Sequence, residues 1–312
     1  MSALRNLAGQ TAIYGASSIG ARFLNYLLVP LYTSKGVFEP AEYGVITSLY
    51  AWTAFLNVVL TFGMETTFFR FTSNENTPLA KGSSGSVFTT ASYALLFSSL
   101  VFMLLGASLS ESIASGIGFP SHSTEVLLLV IIIGIDALTA VPMARLRQQG
   151  RAWRFASINI ISVVVNVVLN LFIFLYCMKK YNAGNSNALI DAVYDPSFGV
   201  GYVFLINLIS TGVKLVMLLP QWPAFKQFSK PLLRSMLLFG GPLMIAGLAG
   251  MVNETADRII LKHLLPEGIA DTQIGIYGAC YKLAVLITLF IQAFRMGAEP
   301  FFFSHAKEKN SR

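Results

Sequence analysis

Arg22, Lys214, Arg258, Lys282 and Arg295 share one setting: each is a cation inside a long run of apolar residues. A charge at the centre of a membrane helix costs about 2.5–3.5 kcal/mol on insertion scales, so it is retained where it faces water, a partner charge or a ligand. Fixed cations in such a place are the chemistry that holds an anion. Five acids, Glu65, Asp136, Glu254, Asp257 and Glu299, occupy the same kind of run and offer the complementary chemistry: ion pairing, gating, or exchange of a proton or sodium ion. The sequence has no HExxH, CxxC, Walker loop or GxSxG, and Cys177 and Cys280 have no metal or redox spacing. His122, His263 and His305 are isolated. The expectation is therefore no catalytic residue, no metal and no cofactor.

Spacing separates the candidates. Lys214 lies little more than one turn from the end of its run, within snorkelling reach of the interface, and is expected there rather than in a cavity. Arg295 and Glu299 are spaced i, i+4 and can neutralise each other along one helix face. Arg258 has Glu254 one turn before it and Asp257 beside it, so interfacial solvation competes with a cavity role. Arg22 and Lys282 have no acid within one turn and are the leading ligands for an anionic group. Asp136, alone in "IIIGIDALTAVPMA", is either paired across helices, kept neutral by burial, or a coupling site. Glu65 and Glu299, each ahead of a phenylalanine run ("METTFFRF", "AEPFFFSH"), are candidates for a symmetric gate.

The elements that must position these residues follow from composition. Of 312 residues 54% are hydrophobic and 12% charged, and the mean hydropathy of +0.63 is that of an integral membrane protein. Spanning the hydrocarbon as a helix takes about 20 apolar residues. Eight windows qualify: Leu7 to Thr33, Tyr43 to Phe69, Ser84 to Ser110, Val126 to Ala144, Phe155 to Met178, Ser197 to Leu219, Ser235 to Leu261 and Gln273 to Phe303. The fold class is an all-α polytopic helix bundle. Its loops are short, the longest running from Lys179 to Pro196, so function is expected among the helices.

Thirteen Lys and Arg residues fall in the even-numbered gaps and the tails, among them Arg5, Arg70, Arg145, Arg147, Arg151, Lys230 and Lys307; only Lys35, Lys179, Lys180 and Lys262 fall in the odd gaps. That asymmetry predicts cytoplasmic termini. The net charge of +7 is then a lipid-facing cytoplasmic excess, and no nucleic acid is needed to account for it.

An internal repeat organises the windows. "EYGVITSLYAWTAFLNVVLTFGMETTFFRF" aligns with "QIGIYGACYKLAVLITLFIQAFRMGAEPFFFSH", pairing Gly44 with Gly275, Tyr50 with Tyr281 and, across a short insertion, Glu65 with Glu299. The preceding helices pair Arg22 with Arg258. Six windows precede the restart, and six is even, so the copies are expected to be parallel: a six-helix lobe over 1–225 and the first two helices of a second lobe over 226–312. That plan predicts a longer gene product. Pro242 and the glycines of "FGGPLMIAGLAGMVN", with small residues at similar places in "YGASSIGARFLN", permit close packing or bending.

The stretch "YGACYKLAVLITLFIQAFRMGAEPFFFSHAKEKN" resembles the eighth-helix signature of bacterial polysaccharide flippases, the O-antigen type transporters of the multidrug/oligosaccharidyl-lipid/polysaccharide exporter superfamily. "PMARLRQQGRAWRFASINIISVVVNVVLN" and "EPAEYGVITSLY" are similar to that family's fourth-to-fifth and second helices. The resemblance implies alternating access by two helical lobes in the bacterial inner membrane, with an undecaprenyl diphosphate-linked oligosaccharide as cargo, membrane lipids as surroundings and protons or sodium ions as coupling partners. A multidrug exporter of the same superfamily and a membrane-embedded glycosyltransferase or polymerase are the alternatives.

Overall fold

In the computed structural model, residues 2–73, 84–185, 187–223, 227–266, 268–285 and 287 are described, with side chains from Ile13 onward. Every described element is helical, with no strand among them. Backbone polar groups have no water to bond in hydrocarbon, so a spanning segment must satisfy them within itself. The long helices are α1 (Ser2–Tyr26), α3 (Pro40–Thr61), α5 (Ser84–Ser108), α7 (Ser123–Gln148), α8 (Ala152–Leu171), α11 (Gly201–Leu218) and α12 (Lys230–Leu264). Shorter ones are α2 (Leu28–Tyr32), α4 (Met64–Ser73), α6 (Ser110–Gly116), α9 (Met178–Asn182) and α10 (Ala188–Val193). A last helix, α13, covers 268–285.

Among the described residues six helical stretches are long and apolar enough to cross a membrane, and they coincide with the second to seventh windows. The first window forms α1 and α2, not one helix. Pro30 cannot complete a helical hydrogen bond and crowds the carbonyl four residues back, at Tyr26, where α1 stops. The eighth window begins in α13; Arg295, Glu299 and their i, i+4 pairing lie outside the described residues.

Two local irregularities decide what faces inward. The second window is broken at Phe62 and Gly63, both left-handed at φ 50° and 64°. Here the backbone presses on α12: a Cβ at Gly240 would lie 2.6 Å from the Phe62 carbonyl, and one at Gly63 2.9 Å from Leu243 Cβ. The break turns α4 off the axis of α3 and sets Glu65 in its first turn. The second irregularity is a π-helical turn, Phe172–Cys177, joining α8 to α9 within one apolar stretch.

α7 is the central helix, packed against α3, α4, α5, α6, α8 and α11, while α12 crosses α3, α4 and α5 and α1 lies along α8. At the end carrying Glu39, Glu42, Asp191 and Asp195, an apolar cluster gathers Tyr32, Phe38, Tyr43, Ile46, Phe174 and Phe204. At the end carrying Arg70, Arg145 and Lys230, Met64, Phe68, Phe88, Val141, Leu232 and Met236 form a second. Large apolar side chains also point outward, Phe97 at 73% and Leu238 at 71% exposure, as lipid-facing surface requires.

α3 and α13 meet at glycine. A Cβ at Gly44 would collide with the Asp271 carbonyl, and one at Gly275 with the Pro40 carbonyl; Gly278 sits against Thr47. Residue pairs 40/271, 44/275 and 47/278 share one offset of 231, so this contact is self-complementary: each of the two helices offers the other the corresponding positions.

Candidate functional site

A cavity of about 550 Å³ lies between α1, α3, α4, α7, α8 and α11, lined by Arg22, Glu65, Asp136, Arg147, Lys214, Asn57 and Asn159 among others. Each charge arrives from a different local cause. Arg22 is an exposed position on α1, with Ser18 one turn earlier on the same wall. Glu65 is swung in by the Phe62–Gly63 break. Asp136 and Thr139 sit mid-way along α7, and the Thr139 hydroxyl donates back to the Asp136 carbonyl at 2.9 Å.

Glu65 and Arg147 form an ion pair between α4 and α7. The Arg147 guanidinium lies 5.1 Å from the Phe69 ring centre and 5.7 Å from that of Phe155, so aromatic faces hold it while its Nε is buried without a hydrogen-bond partner. Lys214 lines the same cavity, within electrostatic reach of Asp136. Lys214, expected near the interface, thus lines a cavity shared with Arg22, Glu65, Asp136 and Arg147. With Arg22, Arg147 and Lys214 against Glu65 and Asp136, the cavity carries one more cation than acid.

Arg258 and Lys282 occupy a neighbouring pocket of about 150 Å³ between α1, α3, α12 and α13, with Tyr26, Tyr50, Glu254 and Tyr281. Arg258 is 6% exposed. It donates to the Glu254 carbonyl at 2.7 Å and to Asp257 Oδ1 at 3.3 Å, and lies 4.1 Å from the Tyr281 ring centre. Asp257 accepts in turn from the Tyr277 hydroxyl. Lys282 rests 5.3 Å from the Tyr43 ring centre. Tyr26, one turn beyond Arg22 on α1, lines this second pocket.

The structure thus brings Arg22, Glu65 and Asp136 into one cavity and Arg258, Lys282 and Glu254 into another, with Asp257 at the latter's edge; Glu299 lies outside the described residues. Arg147 escaped the sequence reading because it sits at the end of a window and looks like an orientation signal. A polar line on α8 also escaped it. Asn159 lines the cavity, Asn166 Nδ2 donates to Ser210 Oγ at 3.3 Å, Asn170 Nδ2 donates to the Asn166 carbonyl, and the Tyr32 hydroxyl donates to Asn170 Oδ1 at 2.6 Å. From α11, Asn207 Nδ2 donates to the Tyr50 hydroxyl of α3 at 2.9 Å. The sequence signal was present: Asn159, Ser162, Asn166 and Asn170 recur at helical spacing in an otherwise apolar run.

Residues 7–304 match the sequence family described as polysaccharide biosynthesis protein. No curated protein and no solved structure matches the chain.

Proposed function

Because the chain belongs to the polysaccharide biosynthesis protein family, we propose that it is a transporter turning a lipid-linked oligosaccharide, on an undecaprenyl diphosphate carrier, across the bacterial inner membrane. The observation that carries this reading is the polar cavity inside an apolar bundle, with Arg22, Arg147 and Lys214 outnumbering its two acids. A diphosphate entering low dielectric needs such fixed cations. An organic-cation exporter needs the opposite balance, which weighs against the multidrug alternative.

The mechanism supported best is alternating access. The α3–α13 contact, with its common offset of 231, supports two repeated lobes meeting along this seam, 1–225 and 226–312. Glu65 and Arg147 join α4 to α7 and are suited to open and close one mouth of the cavity. Asp136, which lines the same cavity as Lys214, would exchange a proton or sodium ion as the cations take up and release the head group. The Lys and Arg split supports cytoplasmic termini, and single cysteines test that directly: Gln149→Cys should be labelled from the cytoplasm and Asn185→Cys from outside.

The central experiment is export of lipid-linked oligosaccharide normalised to folded protein in the membrane. Arg22→Glu and Lys214→Glu should abolish it, while Arg22→Lys and Lys214→Arg retain part. Full normalised export in Arg22→Gln and Lys214→Gln would remove both as head-group ligands.

A further inference from the structure

A second basic cavity, of about 500 Å³, lies away from the first, where the start of α5, the α7–α8 turn and the end of α11 meet. Arg145, Arg151, Gln149, Gln221, Trp222 and Phe88 line it. The proposed transport path uses none of them.

Its chemistry is one-sided. Arg145 stacks its guanidinium 4.0 Å from the Phe88 ring centre, which fixes the plane and leaves the edge to donate. Arg151, exposed, faces the same space, so two like charges are held together there. Among the described residues neither has a carboxylate partner. Gln221 Nε2 is buried without a hydrogen-bond partner. Like charges and an orphaned donor around one void favour an anion with several acceptor oxygens there.

The walls are fixed in advance. The Tyr93 hydroxyl donates to the Pro223 carbonyl at 3.1 Å and the Ser86 hydroxyl to the Gln227 carbonyl at 2.9 Å, tying the connection after α11 to the first turns of α5. Phe88, Pro220 and Trp222 give the cavity an apolar side next to helix ends that leave the bilayer, and Trp at such a boundary sits at head-group depth. An anion that arrives with an apolar body at that depth is a lipid.

We infer that Arg145, Arg151 and Gln221 form a binding site for the phosphate head group of an anionic phospholipid, clamped between α5, α7 and α11. The site holds a lipid of the surrounding leaflet and is separate from the transport cavity. Occupancy braces the α7–α11 pair, which also carries Asp136 and Lys214.

The test is native mass spectrometry of the purified full chain, equilibrated with phosphatidylglycerol, phosphatidylcholine or undecaprenyl diphosphate in turn. The wild type should retain phosphatidylglycerol over phosphatidylcholine, and Arg151→Gln and Gln221→Leu, which spare the Phe88 stack, should each weaken retention, by about fivefold for the arginine. Arg151→Lys should keep most of it. Arg22→Gln, in the other cavity, should leave phosphatidylglycerol retention unchanged. Equal retention of both phospholipids, or retention unmoved by Arg151→Gln and Gln221→Leu, overturns the site. Retention of undecaprenyl diphosphate alone, lost in Arg151→Gln, also overturns it, because the head group would then be the cargo's. Since the readout is lipid retention and not export, failure here leaves the transport proposal standing, and failure of transport leaves this site standing.

Discussion

Arg22 on α1 and Arg258 on α12, two cations set alike in apolar runs, are treated in opposite ways by the fold. Arg22 stands exposed on the wall of a cavity it shares with charges from α4, α7 and α11. Arg258 is buried, bonded to a carbonyl of its own helix and to its neighbour Asp257, and covered by Tyr281. A hydrogen bond to a charged group is worth about 1.5–3 kcal/mol, and an intrahelical set of them leaves little free donor capacity for a ligand. The lesson is that cost in the membrane identifies a cation as purposeful without saying whether the purpose is structure or cargo. Partners from the same helix point to structure; partners from different helices, around a void, point to work.

The comparison breaks most visibly if the seam between α3 and α13 is forced apart. Gly44→Val places a side chain on the Asp271 carbonyl, a backbone atom that cannot rotate away. The cost should exceed the about 1–3 kcal/mol of ordinary overpacking, and folded protein should be largely lost by fluorescence-detected size-exclusion chromatography. Wild-type yield would mean that the self-complementary contact is dispensable.

Next in size is the arginine pair itself. Arg22→Gln should cut normalised export about tenfold or more at unchanged yield, the effect of one lost charge-assisted contact. Arg258→Gln should lower yield and leave export per folded molecule near wild type. The reverse assignment in the same assay would exchange the roles of the two pockets.

The ion pair between α4 and α7 is partly exposed, so its stability contribution is small, about 0.2–1 kcal/mol. Its proposed value is in gating. Glu65→Arg should impair export and the exchange Glu65→Arg with Arg147→Glu should restore it; additive losses in the double variant would show that the residues act separately.

Asp136→Asn should keep yield and weaken the response of export to an imposed proton or sodium gradient. An unchanged response, measured in proteoliposomes, would assign Asp136 to structure with Lys214.

The smallest effect lies far from both pockets, in the turn before α11. There the Ser197 hydroxyl and backbone N–H donate to Asp195 Oδ1 and hold its carboxyl below the usual carboxylate range. A depressed folded pKa contributes stability that is present above the unfolded value, about 3.9, and is lost as pH falls through the folded one. Amide exchange of the turn should therefore rise only at strongly acidic pH, and Asp195→Asn should remove that dependence.

Much of the molecule was legible one residue at a time. Long apolar runs can satisfy their backbones in lipid only as helices, so the second to seventh windows appear as spans with ends close to those expected. Charge inside apolar runs drew attention to Arg22 and Asp136, and recurrence to Glu65; the structure lines one cavity with all three. What the sequence could not display was direction across helices. Arg147 reads as a boundary charge and Lys214 as a snorkelling one until α7 packs on α11 and the Phe62–Gly63 break turns Glu65 toward Arg147. Arg22 and Lys282 read as ligands of one cavity, but they line two different ones.

The sequence by itself determined the helical, membrane-embedded class and the set of charges that had to be accommodated, because those follow from composition, spacing and the cost of charge in hydrocarbon. Tertiary structure alone decided which charges share a void and which are consumed by their own helix. That choice depends on the rotation of each helix about its axis, and rotation is fixed by packing at points such as Gly44 with Asp271 and Gly240 with Phe62, not by any property of the charged residue itself.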